Sequence, residues 1–341
     1  MTQTTSPRGA HLVGSIPLES VEAVFRTSTR ELGGHLERLP DGELGARSIW
    51  IAFQRDVFSK LDGFDEVPPA PGSYVSRPLF QARANVTGAE LNLGPLGYAQ
   101  AAKESYAIFA RLKKAGELPA RLRFQVGLPT PMEPVIGMFT AESQSVMAPV
   151  YERSLLRELE EILEAIPHEQ LAIQFETVYL LGVLEGVWTT FIEKSSIPSR
   201  IAALADLVPD TVSVGYHLCY GDSGHRHFKQ PESTRIMVDV AHGILESVHR
   251  SIEWFHMPVP KDRTDDAYFE PLCELRLPET TALYLGLLHA TDGEVGSRAR
   301  ITTASRHAQR FGVATECGMG RRPPDTIPDL LRMHARVSSA V

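Results

Sequence analysis

Short apolar and β-branched runs alternate along the chain with longer segments of helical period, the arrangement expected of parallel βα units. Eight runs read as strands: residues 10–16, 36–40, 122–128, 171–177, 212–219, 250–256, 283–289 and 311–317. The clearest helix covers 151–165, where Leu155, Leu159, Ile162 and Leu163 share a face and Pro167 ends the run. Weaker versions of that pattern occupy 18–32, 46–60, 98–115, 193–207, 233–248, 295–310 and 326–336. Residues 62–97 break the rhythm with Pro68, Pro69, Pro71, Pro78 and Pro95 and no sustained period. The pattern predicts an α/β fold, a single (β/α)8 TIM barrel forming one catalytic domain over 1–341. An irregular insertion follows the second βα unit, on the face that carries the active site. A doubly wound open sheet is the structural alternative.

Composition narrows the class of function. The 341 residues are 43% hydrophobic and 22% charged, ordinary for a soluble enzyme. Net charge is −8 and no block of Lys and Arg accumulates, which argues against a nucleic-acid or anionic-membrane partner. The opening segment lacks a basic stretch followed by an apolar core, and no run approaches the ~20 apolar residues that span a bilayer. Three cysteines make no disulfide framework, so a cytoplasmic, reducing setting is expected. A homo-oligomer is left open.

In such a barrel the chemistry sits at the C-terminal strand ends and in the loops after them. Ser15, Glu43, Glu176, His217, Cys219, Glu253, His289 and Cys317 all fall there on this reading. His217 and Cys219 are two apart on a strand, so both side chains reach the same face. Imidazole plus thiolate suits Zn2+, and Cys317, followed by Gly318 at the last strand end, is the third candidate ligand. His225 and His227 form a competing loop pair with less strand support, and Cys273 reads as a packed thiol.

These residues resemble the zinc signature of the cobalamin-independent methionine synthase superfamily, specifically its catalytic barrel and single-barrel relatives. The resemblance implies a Glu ligand on the intervening strand, which Ser251-Ile-Glu253-Trp254 matches at Glu253. Val13-Gly14-Ser15-Ile16-Pro17 is similar to the family segment that holds the amino-acid thiol's carboxylate, which implies substrate roles for Gly14 and Ser15. Gly42-Glu43 and Ile173-Gln174-Phe175-Glu176 are similar to segments whose carboxylates bind its ammonium, and His289 stands where the family keeps a proton-relaying His. Glu176 is followed by Thr177-Val178 where the family has Glu-Pro, and the match covers one barrel, not the two of the long methionine synthases. The resemblance implies a zinc-dependent methyl- or alkyltransferase acting on a small thiol acceptor, with an alkyl donor that in the family is a folate. A zinc hydrolase or lyase using bound water on the same barrel is the alternative, and a structural zinc is a third.

Overall fold

The computed structural model describes residues 7–74, 76–224 and 226–341; His225, one of the two loop histidines considered above, lies outside the described residues. Its strands are β1 (Ala10–His11), β2 (Arg38–Pro40), β3 (Phe64–Val67), β4 (Leu79–Ala82), β5 (Arg123–Pro129), β6 (Leu171–Thr177), β7 (Ser213–Leu218), β8 (Trp254–Pro258), β9 (Ala282–Leu288) and β10 (Gly312–Thr315). Among the described residues, eight pair in parallel in the order β1-β10-β9-β8-β7-β6-β5-β2, while β3 and β4 form a separate antiparallel hairpin. This is the α/β TIM barrel read from the sequence, with helices between the strands. All seven residues of β6 are buried, as expected of a parallel strand covered on both faces.

The seam between β1 and β2 carries only a bridge between Ser15 and Gly42. Side chains from the barrel interior complete it. Gln125 donates to the carbonyls of Leu12 and Val13 at 3.0 and 2.9 Å, and Gln174 donates to Val13 at 2.7 Å. Without them these buried carbonyls would be left unpaired. The same bonds hold the segment running into Gly14 and Ser15. Outside the barrel, the first helix (Val21–Leu32), capped by Ser20 at the Ala23 N–H, packs against the last (Ile327–Val337) and closes the ring.

The irregular stretch lies between β2 and the helix Tyr98–Lys114, and contains the β3–β4 hairpin. Tyr74, within it, donates to the Arg226 carbonyl at 2.8 Å and accepts from the Ser223 N–H at 2.6 Å. The insertion is thereby fastened to the loop that follows β7. None of the described helices is long and apolar enough to cross a membrane.

Two strands differ in extent from expectation, the first of them, expected to run to residue 16, ending at His11. The strand expected at 250–256 begins at Trp254, so Glu253 stands ahead of β8 rather than near its end. Arg250 instead ties the chain to the base of the barrel, donating to the carbonyls of Val208 and Val212.

Candidate metal and substrate site

His217, Cys219 and Cys317 converge at the C-terminal mouth. Their ligand atoms all lie within 4.8 Å of one another. His217 belongs to β7; Cys219 follows it and extends the ladder through its N–H to Thr177, at 2.8 Å. Cys317 arrives from the turn after β10, where the Thr315 hydroxyl donates to the Cys317 carbonyl at 2.6 Å. The two Sγ atoms are 3.7 Å apart, and Cys317 Sγ is 3.8 Å from His217 Nε2. A tetrahedral zinc, with bonds of about 2.3 Å to sulfur and about 2.0–2.1 Å to nitrogen, separates two sulfurs by about 3.8 Å and sulfur from nitrogen by about 3.6 Å. The donor set fits that ion in type, and both distances from Cys317 fit it in spacing. The Gly221 N–H donates to Cys219 Sγ at 3.2 Å, a contact that favours the thiolate. Without a cation, the neighbouring Cys317 thiol and burial hold the Cys219 thiol well above its usual range.

Behind His217 stands His256, the third residue of β8 and the register partner of His217. The two Nδ1 atoms are 2.6 Å apart, and His256 Nε2 lies 3.0 Å from the Thr315 carbonyl. Both rings are fully buried. Burial and the facing His256 keep His217 well below its usual pKa, and burial takes His256 down to about 3.

A cavity of about 180 Å³ opens beside the cysteines. Gly14, Ser15, Glu43 and Glu176 line it together with His217, Cys219 and Cys317, so seven residues singled out in the sequence share one space. Glu43 sits in a strained turn: Gly42 has φ 85° and Glu43 itself φ 49°, a region that favours glycine. Asp41 holds this conformation by accepting from the Glu43 N–H at 2.9 Å, and is itself bound by Arg47 and the Ser105 hydroxyl. The carboxylates of Glu43 and Glu176 meet over Gly127. A methyl group there would lie 2.9 Å from Glu176 Oε1 and 3.0 Å from Glu43 Oε1. Burial and the facing Glu176 push Glu43 well above the usual carboxylate range, and burial also raises Glu176, against the Gln174 amide that donates to it.

Ser15 reaches the loop after Cys317: its Oγ accepts from the Gly320 N–H at 3.2 Å, and its carbonyl accepts from Met319 at 2.7 Å. Gly318 is required by this approach, since a side chain there would meet Ser15 Oγ at 2.2 Å. Trp50 and Tyr179 form an aromatic wall of the cavity, their rings stacked at 6.2 Å and 13°.

Two expectations are corrected. Glu253 is not brought to the cluster: its Oε2 accepts from the Val214 N–H at 2.6 Å, at the base of the barrel. There it lines a separate cavity with Arg8, Arg38 and Arg123. Cys273 is exposed rather than packed, with Sγ 3.4 Å from His307 Nδ1. His289 does follow β9 but does not border the cavity; Nε2 faces the Val259 carbonyl at 2.8 Å and Nδ1 faces Glu316 at 3.1 Å. His227 lies toward Glu316 and His289 and is not part of the three-residue cluster. The sequence reading missed His256, which an out-of-phase strand assignment hid, and the Asp41–Arg47 brace, whose only signal is an Asp ahead of Gly-Glu.

No protein-family model matches the chain, and no curated protein matches it. Solved structures do. A protein of Listeria monocytogenes, provisionally named a vitamin-B12 independent methionine synthase, superposes with a TM-score of 0.54 at 14% identity, over 98% of this chain and 97% of that one. A B12-independent methionine synthase from Shewanella sp. W3-18-1, in complex with selenomethionine, gives a TM-score of 0.59 at 15% identity, over 97% and 96%. Over nearly its whole length, therefore, the chain has the fold of B12-independent methionine synthase structures.

Proposed function

We propose that the protein is a zinc-dependent S-alkyltransferase that moves a methyl or other alkyl group from a donor onto a small thiol in a reducing, cytoplasmic setting. The observation that carries this reading is the zinc-like spacing of His217, Cys219 and Cys317 in one cavity with two buried carboxyl groups. A zinc ion held by these three residues would supply the Lewis acidity that makes an added thiol a thiolate nucleophile at neutral pH.

The remaining groups bind and orient. Glu43 and Glu176 repel each other when both are ionised, and an ammonium entering over Gly127 relieves that repulsion. Ser15 Oγ accepts from Gly320, which leaves the hydroxyl proton free to donate to a substrate carboxylate beside Gly14. An amino-acid thiol therefore fits better than a simple one. The selenomethionine bound by the Shewanella protein supports the same class of ligand. Trp50 and Tyr179 offer a flat apolar face to the alkyl donor, which in the fold relatives' stated activity is not cobalamin. His289 is the proposed proton relay, acting from outside the cavity through Glu316, which its Nδ1 faces and which adjoins Cys317 in the chain.

The test is metal content by mass spectrometry on protein purified without chelator, followed by addition of small thiols with and without an amino-acid moiety. Near-stoichiometric zinc, proton release on thiol addition and a new zinc–sulfur distance in X-ray absorption support the proposal. Zinc-free protein, or zinc protein with no sulfur contact to any thiol, removes it.

A further inference from the structure

The contact between His217 and His256 fixes which atom of His217 faces the cysteines. We infer that His256 is a positioning residue that holds His217 in the tautomer with Nδ1 protonated and Nε2 bare, ready to bind a metal. The inference rests on the zinc reading only for its purpose; the tautomer itself follows from the metal-free geometry.

His256 Nε2 is 3.0 Å from the carbonyl of Thr315, which can only accept, so Nε2 carries a hydrogen. The two Nδ1 atoms stand 2.6 Å apart, close enough for one hydrogen between them and too close for two. A neutral His256 with its hydrogen on Nε2 has a bare Nδ1, so the shared hydrogen belongs to His217 Nδ1. His217 Nε2 is then left with a free lone pair, 3.8 Å from Cys317 Sγ. The opposite arrangement needs His256 cationic in a fully buried place, where its ring nitrogens meet only His217 and the Thr315 carbonyl among the described residues.

The chain Thr315 carbonyl, His256, His217 thus occupies both nitrogens of His256. That excludes His256 as a fourth ligand in this arrangement and gives it the part a carboxylate or carbonyl usually plays behind a metal-binding imidazole. The anchor is also well chosen. Thr315 precedes Cys317 by two residues, and its hydroxyl holds the Cys317 carbonyl. One short segment therefore fixes both the third ligand and, through His256, the first.

The experiment uses the full-length protein labelled with 15N-histidine, stripped of metal, with His217 assigned by comparison with His217→Gln. Long-range proton–nitrogen correlations are expected to show His217 as the Nδ1-protonated tautomer; an Nε2-protonated His217 would overturn the inference. Zinc affinity by chelator competition then compares His256→Gln, whose amide oxygen can still accept from Nδ1, with His256→Leu, which cannot. His256→Leu is expected to bind zinc about 10–100-fold more weakly and His256→Gln within a few-fold of wild type. X-ray absorption should count the same single imidazole in every variant. Loss of an imidazole from the zinc shell in His256→Gln would make His256 a ligand and overturn the inference. If His256→Leu does not fold, the wild-type tautomer and the His256→Gln shell still decide it. If wild type binds no zinc, the proposed function falls while the tautomer measurement still stands.

Discussion

Cys219 and Cys317, 98 residues apart in sequence, bring their sulfur atoms to within 3.7 Å of each other at the barrel mouth. Cys273, the third thiol, is exposed on the outside, away from both. The three are thus distinguishable by chemistry. In metal-free protein, a thiol reagent should react fastest at Cys273, more slowly at half-buried Cys317 and slowest at buried Cys219. Zinc should leave only Cys273 reactive. Replacing Cys317 by Ser should cost roughly two orders of magnitude in zinc affinity, a share of the roughly 10–16 kcal/mol that a complete protein zinc site supplies. Reagent kinetics with and without zinc, and chelator competition on Cys317→Ser, check both statements. Equal protection of all three thiols, or of none, would contradict them.

Gly127 is needed for its missing side chain. It sits in the middle of β5 with no special backbone angle, yet both Glu43 and Glu176 reach within contact distance of where a Cβ would be. Gly127→Ala should displace one carboxyl group, at a cost of about 1–3 kcal/mol from overpacking a tight site. The metal cluster, carried by β7 and by the segments that follow β7 and β10, should keep its zinc. The expected kinetic result is a KM for the thiol raised tenfold or more with a smaller change in kcat, read from initial rates on zinc-loaded protein. A fall in zinc content instead would mean that the two halves of the site are not separable.

Much of this arrangement was legible in the sequence because it depends on strand ends. Seven of the strands begin or end within a few residues of their expected places, and the motif residues fall where barrel geometry sends them. The His-Leu-Cys spacing survives any small boundary error, since both residues move together. Glu253 did not survive it. Ile252 and Trp254 are both fully buried and bracket Glu253 in an alternating pattern that reads as mid-strand. The ladder actually starts at Trp254, whose ring packs under the Arg38 guanidinium at 3.9 Å at the base of the barrel. That shift of a few residues moves Glu253 to the far end and brings His256 to the height of His217. The roles of Gln125 and Gln174 were not legible, because a short first strand that needs side chains to close the seam leaves no local pattern.

Glu133 was equally hidden, and it orders the segment that follows Glu176. Fully buried, its carboxylate accepts from the N–H groups of Val178, Tyr179 and Leu180 at 2.8, 2.6 and 3.3 Å. Those are the orphan donors at the start of the short helix Tyr179–Leu184, and their hydrogen bonds offset part of the rise, to about 7, that burial imposes on the Glu133 carboxyl. Glu133→Ala leaves them unpaired in the interior and should cost about 2–4 kcal/mol, whereas Glu133→Gln, which keeps an acceptor, should cost about half as much. Urea unfolding midpoints at constant slope would measure the difference. Equal losses in the two variants would mean that volume, not hydrogen bonding, is what Glu133 supplies.

The pair Glu43 and Glu176 makes a prediction about pH. Both carboxyl groups are pushed above their usual range in the folded protein, Glu43 by burial and by Glu176, and Glu176 by burial. A folded state that holds protons more tightly than the unfolded chain loses stability as pH rises from the unfolded pKa through the folded one. This pair should therefore weaken the ligand-free protein between about pH 4.5 and the raised folded pKa values, opposite to a carboxylate held in an ion pair. Glu176→Gln removes one titrating group and the repulsion felt by the other. Measured by thermal unfolding across pH 5–8, it should flatten the decline and make the variant more stable than wild type at pH 8 by about 1–3 kcal/mol, one pKa unit corresponding to about 1.4 kcal/mol. At pH 5, close to the unfolded pKa where the linked loss of stability has barely begun, the two should differ little. An amino-acid thiol that places its ammonium between the carboxylates should erase the wild-type decline and leave the variant unaffected. A wild-type curve that rises toward pH 8 relative to Glu176→Gln would show instead that both carboxylates are ionised and held by donors such as Gln174 and Arg47.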